Sequence, residues 1–68
     1  MEIFIRRVKE LRIESGFTQK QLAEKLNTTN STVCDWEKGR SQPDLQTLTK
    51  IARLFDVSAD YLLGLADD

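Results

Sequence analysis

Apolar side chains recur at helical spacing in five short segments of this chain, and each segment is bounded by residues that start or stop helices. Phe4, Val8 and Leu11 fall at i, i+4 and i+7, with Ile5 beside that stripe. They predict a helix from about Glu2 to Ser15, closed by Gly16 in the left-handed conformation. Thr18 to Gln21 matches the capping box Thr-x-x-Gln. It opens a second helix whose buried face is Leu22, Ala23 and Leu26. That helix is expected to stop at Asn27, since asparagine tolerates positive φ better than most residues and can serve as C-cap and turn. Thr29 caps a third segment, in which Val33 and Trp36 face inward and Gly39 ends the helix. A fourth follows Pro43, with Asp44 as N-cap, the stripe Leu45, Leu48, Ile51, Ala52 and Phe55, and Asp56 in the last turn. Ser58 caps a fifth, containing Tyr61, Leu62 and Leu63 and ended by Gly64; residues 65–68 are expected to fray. Neither sustained alternation nor a hairpin dipeptide points to strands. The expected fold is all-α: a compact bundle of five short helices in a single domain, 1–68.

Sixty-eight residues suffice for one small core and not for two. An apolar fraction of 40% argues against disorder. No apolar run approaches the roughly 20 residues of a membrane span, and the N-terminus has mixed charges and no cleavage-site pattern, so no secretory signal is read. One cysteine, Cys34, excludes an internal disulfide and fits a reducing, cytoplasmic setting. With no histidine, a zinc site would need Cys34 and three carboxylates. No metal or cofactor is expected. Net charge is -1, unevenly placed: residues 1–40 carry eight bases and six acids, residues 41–68 two bases and five acids. A polyanion would favour the first part.

Two short helices joined by about four residues form a helix-turn-helix, here Gln19–Leu26 and Asn30–Lys38, with the whole motif at about 18–38. A two-turn helix with small polar side chains outward can enter a major groove about 12 Å wide, and its N-terminal residues reach base edges. Asn30 and Ser31 occupy that end. Asparagine can donate to and accept from one adenine edge. Gln19, at the start of the other helix, is placed for a phosphate.

The longer string from Phe17 to Gly64 resembles the Cro/repressor-type, or Xre-like, helix-turn-helix family of phage and bacterial transcriptional regulators. The residues carrying the likeness are Thr18-Gln19, Leu22-Ala23, the Thr-x-x-x-Val-x-x-Trp-Glu stretch from Thr29 to Glu37, Gly39, Pro43 and the final IARLFDVSADYLL. With RVKELRIESG in front, it covers nearly the whole chain. The resemblance implies a lambda-repressor-like fold of four or five helices. It implies base contacts from Asn30, Ser31 and Asp35, and phosphate contacts from Gln19, Thr32, Lys38 and Arg40, with Ser41 and Gln42 as weaker candidates. It also implies an arginine–glutamate pair, Arg12 with Glu37, joining the first and third helices; Arg12 can touch phosphate as well. This chain departs from the pattern twice. The turn carries Asn27 where glycine is usual. Asp35 stands where a base or amide is commoner; its carboxylate can accept from a cytosine amino group or be held away by a neighbour.

Trp36 is read as core rather than a base-stacking ring, and Cys34 as a small filler. Arg6, Arg7, Lys9, Lys20, Glu24 and Lys25 are read as solvated helix faces. The leading functional expectation is sequence-specific binding of double-stranded DNA by a transcriptional regulator, a repressor acting as a dimer on a two-fold operator. The fifth helix, with Tyr61, Leu62, Leu63 and Leu65, is the candidate dimer surface. The alternative is a protein-interaction module, such as an antitoxin or complex subunit, which salt would separate from DNA binding. No nucleophile-with-base pattern or phosphate loop supports an enzyme.

Overall fold

The computed structural model describes residues 2–67. Five helices follow in order: α1 (Glu2–Glu14), α2 (Gln19–Lys25), α3 (Asn30–Lys38), α4 (Leu45–Phe55) and α5 (Ala59–Leu63), with no strand among the described residues. α2 packs on α3, α1 on both α3 and α5, and α4 on α5. The core comprises Phe4, Val8, Leu22, Ala23, Leu26, Val33, Trp36, Ile51 and Leu62.

Local chemistry sets the starts. Thr18 Oγ1 accepts from the Gln21 amide at 3.0 Å while Gln21 Oε1 accepts from the Thr18 amide at 2.8 Å, closing the capping box. Thr29, Asp44 and Ser58 cap α3, α4 and α5 by accepting from the amide three residues on. The Thr47 amide and then its hydroxyl hold the Asp44 carboxyl below its usual pKa. The second stop differs slightly from expectation: Leu26 is the C-cap of α2, and Asn27 follows it with φ 57°. Asp56, with φ 54°, plays the same left-handed role after α4.

Three expectations are corrected by packing. Leu45 lies on the apolar stripe of α4 but is 82% exposed. Periodicity says which residues share a face, not how much of that face a neighbour covers, and the first turn of α4 is left open. Leu45 instead lines a cleft of about 180 Å³ with Phe4, Gln42, Pro43, Leu48 and Leu63. Arg7 is not on a solvated face. Its guanidinium lies 4.2 Å from the Tyr61 ring centroid and donates to the carbonyls of Tyr61 and, at 2.8 Å, Ala66. The tail is consequently tied: the Leu65 and Ala66 amides both bond to the Asp60 carbonyl. Asp68, the last residue expected to fray, lies outside the described residues.

Gly64 closes α5 with φ +80°, and a Cβ there would meet Ile3 Cγ2 at 2.8 Å; Gly16 has φ +77° and nothing within 4 Å. The left-handed conformation costs an L-residue about 1–2 kcal/mol. Gly16→Ala should incur only that penalty. Gly64→Ala must also displace Ile3 and is expected to cost at least about 1 kcal/mol more, as overpacking does. Chemical-denaturation midpoints of the two variants check this, and equal losses would remove the steric argument.

Candidate nucleic-acid interface

Residues 26–29 turn the chain between α2 and α3. The Thr28 amide reaches back to the Ala23 carbonyl at 2.9 Å, and the Asn27 amide to that of Glu24 at 3.2 Å, so the turn itself satisfies the last carbonyls of α2. Leu22 and Ala23 on α2 and Val33 and Trp36 on α3 enter the same core. This leaves the opposite face of α3 outward.

Asn30 and Ser31 are exposed at the open end of α3, and their side chains have no intramolecular hydrogen bond among the described residues. Their backbone amides belong to the first helical turn, whose donors lack intrahelical partners. Thr32 is half-buried, and its hydroxyl is 2.8 Å from that of Thr29. Asp35 is half-buried further along the helix, and Lys38 and Arg40 are exposed at its far end. Arg40 Nη1 lies 3.9 Å from Asp35 Oδ1, a neighbour that spacing had left unnamed.

Glu37 is the tie that orients α3. Its side chain is 5% exposed and that of Arg12 is 13% exposed. Arg12 Nε donates to Oε2 at 2.7 Å and Nη2 to Oε1 at 3.1 Å, a bidentate pair, while Nη1 donates to the Phe17 carbonyl at 2.9 Å. Gln19 Nε2 donates to the same Oε1 at 3.1 Å. One carboxylate thus joins α1, the start of α2 and the last turn of α3. The expected Arg12–Glu37 pair is present. Three of the five Arg12 N–H donors are engaged inside the protein. Gln19 keeps its amide oxygen and one N–H beyond the bond to Glu37. That bond left no sequence signal, because α2 and α3 are brought together only by the turn.

Of the four residues assigned to a dimer surface, Leu62 is fully buried in the core and cannot face a second copy. Tyr61 and Leu63 are half-buried, the former beneath Arg7, and Leu65 is exposed. No helix among the described residues is long and apolar enough to cross a membrane.

The sequence pattern of a family described as helix-turn-helix matches residues 8–62. The chain is 48% identical over 59 residues to the HTH-type transcriptional regulator ImmR of Bacillus subtilis (strain 168), spanning 87% of this chain and 46% of that protein. It is 41% identical over 66 residues to an uncharacterized HTH-type transcriptional regulator, YobD, of the same organism, spanning 97% of this chain and 59% of that protein. Over 58 residues it is 38% identical to the immunity repressor protein of Bacillus phage phi105, spanning 85% of this chain and 40% of that protein. The chain spans about half the length of the curated relatives it matches.

Proposed function

This chain belongs to the helix-turn-helix family, and from that premise we propose that it reads an operator in double-stranded DNA as part of a transcriptional repressor. The family is one of non-enzymatic DNA-binding regulators, and one relative is a phage immunity repressor. The observation that carries the reading is the state of Asn30 and Ser31. They are exposed polar side chains without internal partners, at the N-terminal end of a nine-residue helix held by the Glu37 tie.

In this reading the motif from Thr18 to Lys38 docks α3 in the major groove. Asn30 and Ser31 meet base edges, and Asp35 lies further along the same groove. The free oxygen and N–H of Gln19 face the backbone, where the N–H donates to a phosphate. The tied hydroxyl of Thr32, with Lys38 and Arg40, adds phosphate contacts. Occupancy of the operator then excludes polymerase, in the cytoplasm where the DNA lies. No cofactor or small-molecule ligand enters this mechanism.

Useful specificity requires two copies on a two-fold site. Half-sites one helical turn apart are separated by about 34 Å, and the chain measures 28 × 23 × 21 Å. Two copies bound in this way meet only along an edge. Exposed Leu65, with Leu63 and Leu45 at the apolar cleft, supplies such an edge better than Leu62 or Tyr61.

Binding-site selection from random duplexes, run at low and high salt, tests the proposal. The expected result is a two-fold motif with half-sites about 10 bp apart that binds less tightly as salt rises. Asn30→Ala should then weaken the selected site by about 10- to 100-fold, the worth of one good bidentate base contact, and relax the preference at one position per half-site. A folded protein that enriches no sequence at any salt concentration would overturn the reading.

A further inference from the structure

Arg40 follows Gly39, whose φ of 77° turns the chain back at the end of α3. The turn brings the Arg40 amide to the Asp35 carbonyl at 2.9 Å and its guanidinium to within 3.9 Å of the Asp35 carboxylate. The same two residues are therefore joined through backbone and side chain. The side chains are 68% and 42% exposed, so the ion pair is screened and opens readily. The backbone bond keeps the partners adjacent whenever it does.

Three cations on α1 already have partners. Arg12 is committed to Glu37, Arg7 to the chain end, and Arg6 lies 3.6 Å from Glu10. At the far end of α3 there are two, Lys38 and Arg40, and Asp35 holds one of them. Resting on the DNA-reading proposal above, we propose that Asp35 and Arg40 form an exchangeable pair. Asp35 competes with the DNA backbone for Arg40, and on DNA a base amino group in the major groove takes Arg40's place on the carboxylate. Cytosine N4 is the donor that suits a carboxylate. On the matching sequence the base amino group supplies Asp35 with a hydrogen-bond donor in place of Arg40, and the released Arg40 gains a phosphate. On other sequences Arg40 either leaves the carboxylate unpaired beside the DNA or forgoes the phosphate. The pair thereby lowers non-specific affinity more than operator affinity.

The test is a cycle of Asp35→Asn, Arg40→Ala and the double variant, each checked for an unchanged melting temperature. Each is titrated with random-sequence and selected duplexes across a salt series. Asp35→Asn should free Arg40 on random DNA and steepen the log–log salt slope by about 0.9, one phosphate contact, or about a 3.5-fold greater loss of affinity between 50 and 200 mM salt. In the Arg40→Ala background that change should vanish. Arg40→Ala alone should weaken the selected site more than random DNA. If Asp35→Asn tightens random DNA equally with and without Arg40, the acid acts by its own repulsion and the exchange is wrong. No change on Asp35→Asn also overturns it. Failure of the unaltered protein to bind any duplex at low salt would instead remove the DNA-reading proposal beneath it, and the exchange with it.

Discussion

Glu37→Ala is expected to lower the stability of the protein by about 3 kcal/mol, the lower end of the range for breaking a buried ion pair from one side. The reason is what remains behind. Arg12 is only 13% exposed and would keep one partner, the Phe17 carbonyl, while the Gln19 amide would lose its acceptor. At about 4–8 °C per kcal/mol for a domain of this size, the melting temperature should fall by more than about 10 °C. Glu37→Gln should fall between. It preserves the shape but turns an amide N–H₂ toward donors from Arg12 or Gln19. Thermal unfolding followed by circular dichroism reads both. A fall of less than about 2 °C for Glu37→Ala would mean that the tie adds little, as for an exposed pair. The functional consequence follows from the same geometry. Asn30 and Ser31 can be presented to a groove only if α3 keeps its angle to α1 and α2, so Glu37→Ala should reduce DNA affinity even where the protein remains folded.

Trp36→Ala is expected to have a still larger effect, about 3–5 kcal/mol, because it empties the largest space on the inner face of α3. A single core of this size rarely supplies more than about 3–5 kcal/mol in total, so the variant should be largely unfolded at 25 °C. Loss of the cooperative transition in the circular-dichroism melt is the measurement. Trp36→Phe keeps an apolar ring in place and should fold. Fluorescence tests the rival role independently, since Trp36 is the only tryptophan. Its emission should be that of a buried indole and should change little when duplex is added. Strong quenching by DNA would put the ring against bases and remove the core assignment.

Most of the helical architecture was legible from residues 2–67 because it depends on interactions of short reach. A cap needs an acceptor three residues from its amide, as in Thr18, Thr29, Asp44 and Ser58. A stop needs a residue that tolerates positive φ, as Asn27 and Asp56 do here. The inward faces of α2 and α3 were equally readable, since helical spacing places Leu22 with Ala23 and Val33 with Trp36 whatever else the chain does. The outward placement of Asn30 and Ser31 is the complement of that stripe.

Contacts between residues far apart in the chain were decided by the tertiary structure. Arg7 looked like one more surface cation, and only the docking of α1 on α5 carries it under the chain end beside Tyr61 and Ala66. Leu45 and Leu62 share an apolar pattern with their neighbours. One is left open and the other fully buried, because coverage depends on where neighbouring helices end. Gln19 meets Glu37 18 residues away once the turn has folded α2 against α3. The sequence by itself determined which segments are helices and which side of each is apolar, because those choices are made within one or two turns of backbone. The tertiary structure alone decided which charges are spent inside the protein and which stay exposed, because an ionic partner is chosen by distance in space and by burial.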